Sequence, residues 1–166
     1  LLYDSREWLV SRTDPLGHVT SNRYDSAGRA IAVVDAFEHV VGMGYDQNGN
    51  IVSVTNQLGK VWDRSYDALN RLVSLADPLG HSNTVEYDVL GRAIASTDGN
   101  GLRTEFTYDA MGRMTSQIHP DGAKESFEYD SVGNLTAFVN GKGQRTVFTY
   151  NGMNRRLSET NAEGHG

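Results

Sequence analysis

The stretch Tyr87-Asp88-Val89-Leu90-Gly91-Arg92 is one copy of a pattern that recurs every 21 residues along the chain. All eight tyrosines of the protein keep this spacing: Tyr3, Tyr24, Tyr45, Tyr66, Tyr87, Tyr108, Tyr129 and Tyr150. An aspartate follows each of the first seven, and an asparagine follows the last. A fixed period of this length is typical of one supersecondary unit stacked on itself, so the sequence predicts a single repeat array over residues 1–166.

Each repeat contains the pattern Asp-x-x-Gly twice, at positions 2–5 and 12–15 when the tyrosine is counted as position 1. In Asp77-Pro78-Leu79-Gly80, the aspartate can bond the backbone two residues on, the proline presets φ, and the glycine accepts a positive φ. This is the sequence of a hairpin turn with a G1-type bulge. Two such turns in each repeat predict two short strands between them.

The segments between the turns have the composition of β-strands. Ile51-Val52-Ser53-Val54-Thr55 is rich in β-formers and too short for a helix. In Arg103–Tyr108, Phe106 and Tyr108 alternate with polar residues, which places the aromatic and polar side chains on opposite faces. The sequence therefore predicts an all-β fold, an antiparallel meander of hairpins with about 15 complete strands.

Composition excludes several other classes. The net charge of −6 is the wrong sign for a nucleic-acid partner, and the absence of cysteine excludes disulfides and thiolate metal sites. No apolar run is long enough to span a membrane as a helix. With 38% hydrophobic residues and 18 glycines, the chain fits a thin sheet better than a globule with a central core.

The Tyr-Asp-x-x-Gly-Arg unit, together with Asp77-Pro78-Leu79-Gly80-His81, resembles the RHS/YD repeat family. The resemblance implies a spiral sheet of β-hairpins that forms part of a hollow shell. It also implies that the chain is a fragment of a longer protein and that the shell encloses a C-terminal toxin, as in insecticidal toxin complexes and in secreted effectors of contact-dependent or type VI competition. The partners implied are the rest of the same shell, the enclosed toxin domain, and secretion machinery or a chaperone. The location implied is secreted or on the bacterial cell surface.

The residues expected to carry the structural signature of the repeat come from its tyrosine and from its two turns. They are Tyr24, Asp25, Gly28, Arg29, Tyr66, Asp67, Arg71, Asp77, Pro78, Gly80, Tyr87, Asp88, Gly91, Arg92, Tyr108, Asp109, Gly112, Arg113, Tyr129, Asp130 and Gly133. The position-6 arginine either pairs with the aspartate of its own turn or is a solvated turn residue, and the sequence leaves both interpretations open. Asparagine replaces the glycine at position 5 in Asn70 and Asn154 and the aspartate at position 12 in Asn56, Asn140 and Asn161. Three turns depart further, with Glu7 and Glu38 at glycine positions and His119 at an aspartate position.

The remaining motifs favour structural interpretations over chemical ones. Asp14-Pro15-Leu16-Gly17 resembles the self-cleaving segment of the family, but it occupies an ordinary turn position. His18, His39, His81 and His165 share position 16, which predicts a surface ladder of neutral imidazoles rather than a metal chelate. We therefore predict that the protein is not an enzyme and has no catalytic, cofactor-binding or metal residue.

An alternative function is a cell-surface adhesion or glycan-binding module, since YD barrels of the teneurins serve adhesion. Glycans would then be the partner. The aromatic side chains that could stack on sugars are Trp62, Phe106, Phe127 and Phe148, although the same residues are also suited to packing within the sheet.

Overall fold

The structure, a computed structural model, describes residues 1–161 and Glu163, and within this part of the chain it consists only of strands, turns and short irregular segments. Neighbouring strands are antiparallel and follow sequence order. The strands are β1 (Leu2–Tyr3), β2 (Leu9–Thr13), β3 (Val19–Tyr24), β4 (Ala30–Val34), β5 (Val40–Tyr45), β6 (Ile51–Thr55), β7 (Val61–Tyr66), β8 (Leu72–Ala76), β9 (Ser82–Tyr87), β10 (Ala93–Thr97), β11 (Arg103–Tyr108), β12 (Met114–Ile118), β13 (Lys124–Tyr129), β14 (Leu135–Val139), β15 (Arg145–Tyr150) and β16 (Arg156–Thr160).

The predicted all-β antiparallel meander is confirmed. Each complete repeat supplies a five-residue strand and a six-residue strand, and β1 is a two-residue remnant of the six-residue type. The described residues contain 16 strands, one more than the number expected, because the short β1 also pairs with β2. By its packing the chain divides into two compact units, Leu1–Thr84 and Val85–Gly166, and the contacts below are described within each unit.

The turns have the geometry that Asp-x-x-Gly predicts. In the turn after β3, the Asp25 amide donates to the Arg29 carbonyl at 3.0 Å, and the Gly28 amide donates to the Asp25 carbonyl at 3.2 Å. The Asp25 carboxylate accepts from the amides of Ala27 and Arg29 at 2.9 and 3.0 Å, and Gly28 has a φ of +84°. A type I turn closed by a left-handed residue is therefore held by both backbone and side chain.

The turns with altered sequence keep the same backbone. Glu7 and Glu38 both adopt a φ of +64°, at positions where most repeats carry glycine. In the turn that begins at His119, the His119 amide still bonds the Ala123 carbonyl at 2.8 Å, and Asp121 accepts from the Ala123 amide at 2.9 Å. The strand pairing on both sides thus imposes the turn geometry even where the local sequence does not favour it.

A bulge in the strand ladder beside seven of the tyrosines, separate from the G1-type bulge predicted in the turns, was not predicted. Between β11 and β12, Thr107 pairs with Ser116 and Tyr108 pairs with Met114, so Thr115 has no partner across the ladder. The same shift occurs at each of the other tyrosines whose pairing the structure describes: Tyr3, Tyr24, Tyr45, Tyr66, Tyr129 and Tyr150. Such a bulge bends the strand and increases its twist.

The sheet has almost no buried core. Within the described residues, the buried side chains are Ala32, Ala95, Ala137 and Ser116, and no large side chain is fully buried. All four occupy position 9, which is alanine or serine in every repeat: Ser11, Ala32, Ser53, Ser74, Ala95, Ser116, Ala137 and Ser158. The expectation of a thin sheet is therefore correct, and the residues shielded from water are the small ones.

Two of the small residues, Ala95 and Ala137, lie between charged side chains of the flanking strands. Arg103 of β11 forms an ion pair with Glu86 of β9, with 3.0 Å between Nη2 and Oε2, so the pair spans the intervening strand that carries Ala95. Arg145 and Glu128 form the equivalent pair, at 2.8 Å, on either side of the strand that carries Ala137. A methyl side chain in the middle strand leaves room for the arginine and glutamate side chains to meet above it, which accounts for the burial of both alanines.

Gly80→Val should destabilise the protein by about 1–3 kcal/mol, since valine is forced into the left-handed region. The φ of Gly80 is +88°, and a Cβ added there would meet no atom within 4 Å, so the cost comes from the backbone rather than from a clash. Thermal melts would measure it. The control is Glu105→Gln on the exposed face, which should cost under about 0.5 kcal/mol. Equal effects of the two substitutions would contradict the requirement for a positive φ.

Candidate functional site

Within each compact unit, the signature residues of one repeat meet those of the next repeat at one row of turns. Within a turn, the position-6 arginine pairs with the position-2 aspartate. The Nε of Arg29 lies 2.7 Å from Oδ2 of Asp25, and equivalent pairs join Arg71 to Asp67, Arg92 to Asp88 and Arg113 to Asp109. Of the two interpretations that the sequence left open for these arginines, the structure shows the ion pair.

The arginine also reaches the following repeat. Arg29 Nη1 donates to the Asp46 carbonyl at 3.0 Å, and its guanidinium lies over the Tyr45 ring, 4.7 Å from the centroid. Arg92 makes the same two contacts, to the Asp109 carbonyl at 3.0 Å and to the Tyr108 ring at 4.8 Å. Arg113 makes them to the Asp130 carbonyl at 2.8 Å and to the Tyr129 ring at 4.7 Å. One side chain therefore holds its own turn, the backbone of the next turn and the face of the next tyrosine.

The tyrosine hydroxyl makes the return link. The hydroxyl of Tyr108 donates to the Ala93 carbonyl, 15 residues earlier, at 2.7 Å. The same bond recurs at 2.8–3.1 Å from Tyr24 to Leu9, from Tyr45 to Ala30, from Tyr66 to Ile51, from Tyr129 to Met114 and from Tyr150 to Leu135. The polar end of each ring thus bonds the first residue of the preceding five-residue strand, while the ring itself is half-buried.

Hydrogen bonding keeps the turn aspartates ionised. The pKa of Asp25 is lowered from its ordinary value of 3.8, chiefly because its carboxylate accepts from the Arg29 backbone amide, and Arg113 has the same effect on the pKa of Asp109. In the other row of turns, the ring of His81 bonds Asp77 at 3.0 Å and is the main cause of the lowered pKa of that carboxyl.

The candidate chemical motifs have ordinary structural roles. Asp14 and Asp77 both cap regular turns, where they accept from the histidine amide four residues on. The rings of His18, His39 and His81 bond the aspartates of their own turns and are exposed, while His165 lies outside the described residues. No group of three or more acidic or histidine side chains within residues 1–161 could hold a metal ion. No described helix could cross a membrane.

An open groove of about 920 Å³ lies beside the turns at residues 119–123 and 140–144. Its polar groups face one another: His119 Nε2 lies 3.8 Å from Glu125 Oε2, and the side chains of Asn140 and Gln144 are bonded at 2.9 Å. Among the described residues, no buried side-chain nitrogen or oxygen lacks a hydrogen-bond partner. The aromatic residues considered for sugar stacking, Trp62, Phe106, Phe127 and Phe148, are half-buried.

Tyr108→Phe should destabilise the protein by about 0.5–1.5 kcal/mol, because it removes the hydroxyl that bonds the Ala93 carbonyl while leaving the ring in place. Chemical denaturation would measure the change in free energy of unfolding. Tyr3→Phe is the matched control, since Tyr3 is 53% exposed, and it should have almost no effect. Equal losses would mean that the hydroxyl bond contributes nothing.

Stability should fall as the pH drops below about 4. The turn aspartates have a lower pKa in the folded state, so their contribution is present above the unfolded pKa of 3.8 and is lost as the pH falls through the folded values. Melting temperatures recorded from pH 7 to pH 2 would show this. Asp109→Asn should flatten the profile, since asparagine keeps the turn, as Asn151 does, but cannot titrate. An unchanged pH profile in that variant would contradict the assignment.

Comparison with known proteins gives one family and one fold. The family model described as RHS Repeat matches residues 3–38, 45–82, 87–124 and 129–165, which is most of the chain. No curated protein sequence matches it. The Photorhabdus luminescens Tc holotoxin pore, with a mutation in TccC3, superposes with a TM-score of 0.56 at 14% identity and covers 96% of this chain.

Two crystal structures are similar to the same extent. TcdB2-TccC3 gives a TM-score of 0.55 at 15% identity over 93% of this chain, and TcdB2-TccC3 without its hypervariable C-terminal region gives 0.57 at 15% identity over 96%. The chain spans 12% of the length of the holotoxin chain and 11% of each of the other two. At this identity the likeness concerns the fold. With the family model matching four consecutive segments and the repeat geometry described above, the chain belongs to the RHS repeat family.

Proposed function

We propose that this chain is a wall segment of an RHS-repeat shell that encloses a C-terminal toxin, in a secreted or contact-dependent polymorphic toxin. Residues 1–166 form a single array of about eight repeats within a longer protein. The function is mechanical: the wall separates the enclosed polypeptide from its surroundings. The signature tyrosine, aspartate, glycine and arginine residues hold the wall together and perform no chemistry.

The observation that supports this proposal most strongly is the link between successive repeats. In each unit, the position-6 arginine binds its own aspartate, the backbone of the next turn and the next tyrosine ring. The tyrosine hydroxyl then bonds back to the preceding repeat. The recurring arginine and tyrosine side chains thus join one hairpin to the next, as a stable array of repeats requires.

The proposal also names partners and a location. The first partner is the rest of the same shell, because a sheet with so little buried surface needs further repeats to complete it. The second is the enclosed toxin domain, and secretion machinery or a chaperone would handle the assembled protein. The location is outside the producing bacterium or at its surface. The solved Tc toxin structures of the same fold support this context by analogy.

Protease protection of the natural full-length polypeptide would test enclosure. If the wall encloses the segment that follows the repeats, that segment should resist a protease that readily digests it when it is expressed alone. Gly80→Val introduced into the full-length protein should weaken the wall and shorten the protection, while Glu105→Gln should leave it unchanged. Equal digestion of the segment inside the full-length protein and alone would contradict the proposal.

The alternative is a cell-surface adhesion or glycan-binding module. It is supported by Trp62, Phe106, Phe127 and Phe148, whose half-buried rings keep part of their surface exposed on the sheet. Binding of the protein to a glycan array, with loss of that binding in Trp62→Ala and not in Glu105→Gln, would favour this function over enclosure.

A further inference from the structure

The residue at position 6 of one repeat and the residue at position 5 of the next repeat form what we call a joint. The sequence contains two kinds of joint. Within the two compact units, a long residue at position 6 is followed by glycine: Trp8 with Gly28, Arg29 with Gly49, Arg92 with Gly112, and Arg113 with Gly133. An asparagine at position 6 is always followed by asparagine: Asn50 with Asn70, and Asn134 with Asn154.

In the long joint, a single side chain spans the distance between turns. The Arg29 guanidinium reaches the Asp46 carbonyl at 3.0 Å, and a Cβ added at Gly49 would lie 4.0 Å from its Nη1. A Cβ added at Gly133 would lie at the same distance from Nη1 of Arg113. These distances are ordinary van der Waals contacts, and a Cβ added at Gly112, which follows Arg92, would meet no atom within 4 Å. In the arginine joints a side chain at position 5 is not needed, because the guanidinium alone makes the link to the next turn.

The tryptophan joint is tighter still. A Cβ added at Gly28 would lie 2.6 Å from the Trp8 ring, which is too close for any real side chain. The Trp8 ring also lies 5.3 Å from the ring of Tyr24. At Gly28, glycine is thus required by the Trp8 ring of the preceding repeat as well as by the positive φ of its own turn.

In the short joint, the two asparagines meet halfway. Asn50 Nδ2 donates to its own Asp46 carboxylate at 2.8 Å and to Asn70 Oδ1 at 2.8 Å. Asn48 also donates to Asn70 Oδ1, at 2.9 Å. In the other unit, Asn134 Nδ2 donates to Asp130 at 2.8 Å and to Asn154 Oδ1 at 3.1 Å. Asparagine is one of the few residues that can provide this acceptor from a left-handed backbone, and Asn70 and Asn154 have φ values of +60° and +58°.

The mixed combinations lose the link. If asparagine were followed by glycine, the bond from Asn50 to Asn70 would be lost. The short Asn50 side chain does not make the contact to the next carbonyl that arginine makes, so the two turns would have no side-chain link. Arginine followed by asparagine would bring an amide beside a guanidinium that already bonds its own aspartate and the next carbonyl, and the asparagine would lose the amide donor that Asn50 provides. Each residue of a joint is therefore suited to one partner.

We propose that the joint is a matching device that decides which RHS repeat can follow which. A repeat that ends its first turn with arginine or tryptophan accepts a neighbour with glycine at position 5, and a repeat that has asparagine there accepts a neighbour with asparagine. The repeat that can follow is thus specified by two residues, one on each side of the repeat boundary. Repeats can be exchanged within an array only between matching joints.

A double-mutant cycle on the full chain would test this, with Asn50→Arg, Asn70→Gly and the two combined. Each single substitution creates a mixed joint and should lower the Tm by roughly 2–4 °C. The double variant has the long joint and should recover the wild-type Tm. The effect of Asn70→Gly should therefore change sign, lowering the Tm in the wild-type background and raising it in the Asn50→Arg background.

Two further variants separate matching from other causes. The combination of Asn50→Arg with Asn154→Gly changes the same residue types in repeats that are not adjacent, so its effects should add without recovery. Asn134→Arg with Asn154→Gly should again recover the Tm, because both lie at one joint. Additive effects at both joints would overturn the proposal. One such result is an equal shift of the Tm by Asn70→Gly in the wild-type and Asn50→Arg backgrounds, which would mean that the substitution acts only by relieving the positive φ. This outcome is independent of whether the shell encloses a toxin.

Discussion

The constraint on which this structure depends is the lack of a core. A single sheet cannot bury large side chains, and within the described residues the shielded positions are three alanines and one serine. Stability must then come from backbone ladders, from turns and from links between neighbouring hairpins. The Arg–Asp–Tyr contacts provide such a link at one row of turns, and they do so with partly buried charges, which interact more strongly than charges in open water.

The two faces of the sheet are stabilised by different kinds of side-chain contact. On one face, aromatic and aliphatic side chains pack across strands, as Phe127 does with Phe138 at 5.2 Å between ring centroids. On the other, long charged side chains such as Arg103 and Glu86 meet across a strand that carries only a methyl group. Phe127 and Phe138 lie opposite each other on neighbouring strands, whereas Arg103 and Glu86 belong to alternate strands, so only the contact between the charged side chains depends on the space that the middle strand leaves free.

Most of the fold could be predicted because the same pattern of turns and strands recurs in each repeat. Two Asp-x-x-Gly turns in 21 residues fix two strands, and the family pattern identifies the class. The tyrosine, aspartate and glycine positions were found for the same reason. The strand bulge beside seven of the tyrosines and the burial of the small residue at position 9 were not, since a bulge depends on the pairing of two strands and the burial depends on what the flanking strands carry. The sequence signal for the small residue was the recurrence of alanine or serine at position 9.

The sequence by itself determined the period, the strand and turn assignment and the absence of metal-binding and disulfide chemistry based on cysteine, because these follow from local residue preferences repeated in register. Only the tertiary structure decided where each side chain finds its partner. The ion pair of Arg29 and its bond to Asp46, the bond from Tyr108 to Ala93, and the pairing of Asn50 with Asn70 join residues 4 to 20 positions apart. Such contacts exist only when neighbouring hairpins lie side by side, and strand pairing, which local preference does not describe, sets their distance and register.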